Sequence, residues 1–198
     1  MEIIRLNPQN PEESKIRRVI KVLKNDGVIV YPTDTVYGLG ANIYSEKAIK
    51  KVFKIKGRGY HKPLSVCLSE IGDIEKIAYL NQKEEEIKKF LPGPFTIILK
   101  KKELISTLLT SGSDKIGIRI PENQICRLIT SQIPITSTSA NLSGKPVPNS
   151  VDEIINQLGD SIDLIIDGGQ VQGAPSSVID WTTKPPKIIR KGTKEFKI

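Results

Sequence analysis

Three short segments carry hydroxyls, amides and cations at spacings that suit a small anionic ligand. Tyr31-Pro32-Thr33-Asp34-Thr35-Val36-Tyr37-Gly38-Leu39-Gly40 offers two threonine hydroxyls and two glycines that let backbone approach a ligand closely. Lys56-Gly57-Arg58 joins a point charge to a planar fork, which suits phosphate oxygens better than a base. Ser137-Thr138-Ser139-Ala140-Asn141-Leu142-Ser143-Gly144 gathers small hydrogen-bonding side chains that can wrap polar ligand atoms. Arg119 alternates with isoleucines in Ile116-Gly117-Ile118-Arg119-Ile120, so its charge must reach an anion or solvent on one face. Arg190, ending Ile188-Ile189-Arg190, raises the same question. Taken singly, these segments equally suit a glycine-rich turn, two solvated charges at a helix end, and a loop of local Asx and Ser/Thr turns.

Other chemistries are short of residues. His61 is the sole histidine, which all but removes histidine-dependent triads. Cys67 and Cys126 are the only cysteines, too few for a structural zinc site with its roughly four ligands or for a disulfide framework. The glycine run lacks the third glycine of a dinucleotide fingerprint, because position 43 is Ile43. Gly144-Lys145 precedes Pro146, so it is no Walker A loop.

The candidate residues need elements to hold them. Asn10-Pro11-Glu12-Glu13 predicts a helix start, with Asn10 as cap and Pro11 at the first position. Ile16, Val19, Ile20 and Leu23 then keep helical spacing, and Gly27 is a natural stop. Val28–Tyr31 predicts a buried strand, and a loop follows from Pro32 to Asn42. Ser45 can cap a second helix whose Ala48, Ile49, Val52 and Phe53 form one stripe. Strands are predicted at 64–68, 95–99, 116–120, 133–138, 164–166, 178–180 and 188–190. Helices are predicted near 70–80, 81–90, 122–131 and 150–158. Strands interleaved with helices argue an α/β fold with a mixed sheet, and the short late strands argue some antiparallel pairing.

The 198 residues suit one domain spanning 1–198, with 38% hydrophobic and 26% charged residues, a globular composition. No apolar run approaches the roughly 18 residues of a membrane span, and the first five residues hold no leader-like apolar core. A reducing cytoplasmic location is the expectation. The net charge of +8 is concentrated in residues 47–62, which hold seven Lys and Arg and no acid. Such a cluster attracts nucleotide phosphates or nucleic acid, or is simply a solubilising face.

Taken together, the segments resemble the YrdC family of threonylcarbamoyl-adenylate synthases. The resemblance runs from Val28 to Gly192. Besides Tyr31–Gly40, it rests on Lys56-x-Arg58, Pro63-Leu64, Leu91-Pro92-Gly93-Pro94, Ile118-Arg119-Ile120-Pro121, Ser139-Ala140-Asn141-Leu142-Ser143-Gly144 and Ile166-Asp167-Gly168-Gly169. Lys-x-Arg with Ser-x-Asn is the family's diagnostic combination. The resemblance implies a twisted mixed sheet flanked by helices, with a basic concave face. Longer relatives carry a second C-terminal domain, which is not expected here.

The implied activity joins L-threonine, bicarbonate and ATP into threonylcarbamoyl-adenylate and pyrophosphate. Partner proteins then pass the threonylcarbamoyl group to an adenosine beside a tRNA anticodon. By position, Lys56, Arg58 and Arg190 hold the ATP phosphates, Lys56 and Arg58 as the catalytic cations. Lys62, Lys115, Ser139, Asn141 and Val147 complete the ATP site. Thr33, Thr35, Cys67, Arg119, Ser137 and Ser176 form the threonine site. Mg²⁺ arrives with ATP on its phosphates, and no protein-ligated metal is implied. Departures from the common pattern are Lys62 for Asn, Cys67 for His, Lys115 for a small polar residue, and Pro175-Ser176-Ser177 for Glu-Ser-Thr. The alternatives are a paralogue acting as an RNA-binding module without synthase activity, and a carbamoyl-transfer module of hydrogenase-maturation proteins. The accessory acylphosphatase-like and zinc-finger segments of the latter are absent here.

Overall fold

The computed structural model describes residues 1–171 and 173–196. The elements in chain order are β1 Glu2–Arg5, α1 Glu13–Lys24, β2 Ile29–Tyr31, β3 Gly38–Gly40, α2 Glu46–Ile55, β4 Ser65–Cys67, α3 Ile74–Ile77 and α4 Glu84–Ile87. They continue with β5 Phe95–Lys100, β6 Lys115–Arg119, α5 Gln124–Thr130, β7 Ile135–Ser139, α6 Val151–Leu158, β8 Leu164–Asp167, β9 Ser177–Asp180 and β10 Lys187–Arg190. Among the described residues the strands form one sheet in the order β1-β8-β2-β3-β7-β4-β6-β5-β9-β10. Pairing is mixed: β1/β8, β2/β8, β4/β6 and β5/β9 run parallel, and the other neighbours run antiparallel.

The two-residue period of the strands sorts side chains onto two faces. Val30, Leu39, Val66, Ile97, Ile118, Ile165 and Ile179 pack on one face with Ala48, Ile49, Val52 and Phe53 of α2. Ile29, Tyr31, Cys67, Ile135, Leu164 and Ile166 point the other way, against Ile16, Val19, Ile20 and Leu23 of α1 and Ile125 and Ile129 of α5. Truncating a fully buried residue of the first group, such as Phe53, costs about 3–5 kcal/mol. The second group covers only part of its face. Beyond α5 the same face of β4, β5, β6, β7 and β9 carries Ser65, Thr96, Gly117, Arg119, Ser137, Ser139 and Asp180, and there it lies open.

Several expectations need correction. The first helix starts at Glu13, not beside Pro11, and Glu12 caps it with no side-chain hydrogen bond. Its end is turned by Asp26 at φ 59°, not by Gly27. The region near 70–80 holds a 3-10 turn, Ile71–Asp73, that runs into one α-turn, and the region near 81–90 holds a single α-turn, because hydrophobic spacing there is too brief to sustain longer helices. The sequence pattern does not predict β1; it is recruited as an edge strand by parallel pairing with β8. Nor is 32–42 all loop, since Gly38–Gly40 pairs with both β2 and β7. Glycine is poor strand material, but here the Tyr31 ring lies across the strand. A Cβ on Gly38 would sit 2.6 Å from Tyr31 Cζ. Ser45 does cap α2, accepting from the Ala48 amide at 3.1 Å.

Candidate functional site

The open part of the sheet face is the floor of a cavity of about 430 Å³. Its walls are the turn after β2, the chain around Arg58–Leu64, the end of β7, and the Pro175–Ser176 and Ile189–Arg190 segments.

At one end stands Arg119, at the last position of β6. Its Nη2 donates to Asp34 Oδ1 and Thr35 Oγ1, both at 2.5 Å, and to Thr33 Oγ1 at 3.3 Å. Both partners of the ion pair are nearly buried, at 7% and 12% side-chain exposure. A charge so placed needs its counter-ion. Thr33 builds the turn that delivers them: its Oγ1 accepts from the amides of Thr35 and Val36. Among the described residues, Arg119 Nε and Asp34 Oδ2 are buried without a partner, so the guanidinium keeps an unused donor.

Two further guanidinium groups face the same space. Arg58 donates from Nε to the Lys62 carbonyl at 3.0 Å and from Nη2 to the Pro63 carbonyl at 2.9 Å. Arg190 donates twice to the Ser176 carbonyl, at 3.1 and 2.8 Å. Among the described residues neither forms an ion pair. Burial pushes both pKa values down, and like charge adds to it: Arg190 acts on Arg58, and Arg119 acts on Arg190. Three guanidinium groups thus share one hollow, and among the described residues only that of Arg119 has an ionic partner. Ser176 Oγ is 2.8 Å from Thr96 Oγ1, fixing the wall beside Arg190.

At the far end Lys115 Nζ meets Asp180 Oδ2 at 2.9 Å. Burial pushes the Asp180 carboxyl up, but the Thr182 hydroxyl and Lys115 outweigh it and hold the pKa below the ordinary value.

The structure brings Thr33, Arg58, Lys115, Arg119, Ser137, Ser139, Ser176 and Arg190 to the cavity wall. Thr35 lies just behind, bonded to Arg119. Five further expected residues do not line it. Cys67 shares the face with Ser65 but is covered by α5, and its thiol is core beside Cys126. The Lys62 side chain is exposed, and only its carbonyl joins the site through Arg58. Val147 lines a separate shallow hollow with Pro146 and Pro148. Lys56 and Asn141 are buried beside the cavity and outside its lining. Lys56 Nζ donates to the Ser139 carbonyl, the Asn141 carbonyl at 2.8 Å and Asn141 Oδ1 at 3.1 Å.

Sequence reasoning alone does not single out Asp34, Thr96, Ser65 or Asp180. A period-two signal is present for two of them: Thr96 interrupts an apolar strand on its cavity-facing register, and Asp180 falls on the cavity-facing register of β9. Asp34 gives none, because its partner lies 85 positions away.

Fold and site together describe an α/β protein with a cation-rich cavity suited to a polyanion and a carboxylate. A family model described as "Telomere recombination", covering the Sua5, YciO and YrdC proteins, matches residues 21–192, and the chain belongs to that family. It is 45% identical over 197 residues to a putative threonylcarbamoyl-AMP synthase of Methanocaldococcus jannaschii, covering 96% of this chain and 93% of that protein. It is 39% identical over 186 residues to the threonylcarbamoyl-AMP synthase of Pyrococcus abyssi, covering 91% of this chain but 55% of that protein. The crystal structure of P. abyssi Sua5 complexed with L-threonine superposes with a TM-score of 0.91 at 37% identity, covering 97% of this chain and 58% of that one.

Proposed function

We propose that the chain is an L-threonylcarbamoyladenylate synthase. The observation that carries this is the convergence, in one cavity, of a neutralised arginine among threonine hydroxyls and two guanidinium groups without ionic partners. Arg119, with Thr33, Thr35, Ser137 and Ser176, takes the threonine carboxylate and hydroxyl. Arg58 and Arg190 take the ATP phosphates, with Ser139 and Lys115 along the nucleotide.

In the reaction the threonine amine attacks the bicarbonate carbon, and loss of water leaves a carbamate. A carbamate oxygen then attacks the α-phosphorus, and the bond to the bridging oxygen breaks to release pyrophosphate. Negative charge gathers on the phosphates during this step. Fixed guanidinium groups in a partly dry cavity stabilise it without reorganisation. Holding carbamate and phosphorus together supplies much of the remaining rate. Mg²⁺ enters as part of the nucleotide. The cavity's carboxylates fit that reading, since Asp34 and Asp180 already face cations and leave the metal to the phosphates.

The threonylcarbamoyl group would go on to tRNA through transfer proteins in the cytoplasm. Among the described residues no helix is long and apolar enough to cross a membrane. The test is pyrophosphate release with ATP, Mg²⁺ and bicarbonate, with threonine, with serine, and with neither. Release that requires threonine is expected. Threonine-independent release would overturn the proposal, and tight salt-sensitive tRNA binding with no turnover would overturn it in favour of an RNA-binding module.

A further inference from the structure

Lys56 and Asn141 belong to the two motifs that mark the chain as an ATP enzyme, yet neither lines the cavity. Their hydrogen bonds say why. An ammonium has three donors, and Lys56 Nζ spends all three on the Ser139 carbonyl, the Asn141 carbonyl and Asn141 Oδ1. Asn141 is equally full. Its Oδ1 accepts from Lys56 and from Ser139 Oγ at 2.6 Å, and its Nδ2 donates to the Leu142 and Lys145 carbonyls at 3.0 and 2.7 Å. The backbone closes the same contact, with the Ser143 amide donating to the Lys56 carbonyl at 2.8 Å. Lys56 is 2% exposed and, among the described residues, forms no ion pair.

We infer that Lys56 and Asn141 are positioning residues: together they lock the 139–145 turn onto the end of α2, and so place Ser139 and Arg58 against the nucleotide. Each motif then splits by role. Arg58 and Ser139 face the ligand, while Lys56 and Asn141 hold them in place. Within the lock the side chains of Lys56 and Asn141 are satisfied, while the Ser143 hydroxyl of the same turn is buried without a partner among the described residues; such a network specifies one arrangement and fails as a unit when a member is lost. A buried ammonium facing only dipolar oxygens is costly to keep, which burial and the nearby Arg58 charge register by pulling its pKa down to about 7. The inference rests on the synthase reading only for the identity of the nucleotide.

The experiment compares Lys56→Met with Arg58→Met, using ligand-free protein and inorganic triphosphate as probe. In Lys56→Met the amides of residues 139–145 should exchange at least about tenfold faster while the global melting temperature stays near that of the wild type. Triphosphate affinity should fall by no more than about threefold in Lys56→Met and by more than about tenfold in Arg58→Met, whose turn amides stay protected. In turnover, Lys56→Met should lower kcat and leave the threonine KM unchanged. Loss of triphosphate binding in Lys56→Met with the turn still protected would overturn the inference and make Lys56 a phosphate ligand. If Lys56→Met does not fold, Asn141→Ala reads the lock from its other side. Faster exchange at 142–145 with triphosphate binding intact supports it, and unchanged exchange overturns it. These readouts need no turnover, so they stand even if threonine-dependent pyrophosphate release fails.

Discussion

Arg119 shows how one side chain acquires its role from its neighbours. Asp34 and two threonine hydroxyls occupy Nη2, so the guanidinium cannot rotate freely and its remaining donors are aimed. Arg119→Lys keeps the charge and loses the fork, and the threonine KM should rise by about tenfold or more with the ATP KM little changed. Equal changes in both would show that Arg119 is not specific to the amino acid. Lys56 supplies a second test at this scale. Burial and the nearby Arg58 charge pull its pKa down to about 7, so the ammonium that donates three times in the lock is held most firmly below that pH. In the stability curve the unfolded lysine holds a proton that the folded one has lost between about 7 and 10.5. This group therefore makes stability rise with pH across that window, and Lys56→Met removes the slope.

The strands and helices are largely readable where apolar periodicity is strong. Val28–Tyr31, the Ala48–Phe53 stripe and the Ser45 cap all lie where the pattern places them, because local propensity and burial agree there. The elements that the pattern misses depend on distant partners. β3 is a glycine strand made by the Tyr31 ring and by pairing with β7, which lies about a hundred residues on. β1 exists only because β8 is there to receive it. The cavity-facing hydroxyls are legible as residue types, but the split between ligand-facing and locking residues is not. That split depends on contacts across 83 and 85 positions. Two substitutions test the elements. Gly38→Ala forces a methyl into the Tyr31 ring and should destabilise by about 1–3 kcal/mol in chemical denaturation. Ser45→Ala removes a cap that also donates to Asp26 and should cost about 1 kcal/mol. A neutral Gly38→Ala would mean the ring does not lie where described.

At the scale of the molecule, one mixed sheet divides the work. One face is fully packed against α2 and supplies rigidity, and the other is half covered by α1 and α5 and half left as the cavity floor. Cys67 and Ser65 illustrate the boundary: two residues apart on one face, the first is core and the second is site. Because the proposed ligands would bind only the folded sheet face, binding should stabilise the folded state by mass action, about 2.7 kcal/mol for a ligand at a hundred times its Kd. Threonine should therefore raise the melting temperature beyond ATP alone, and Arg119→Met should remove only the threonine increment. The most direct measurement follows the carbon that the cavity is proposed to fix. Incubated with labelled bicarbonate, ATP and Mg²⁺, the protein should place label in an AMP conjugate only when threonine is present. Folded protein that forms no labelled adenylate, or forms it equally without threonine, would contradict the account.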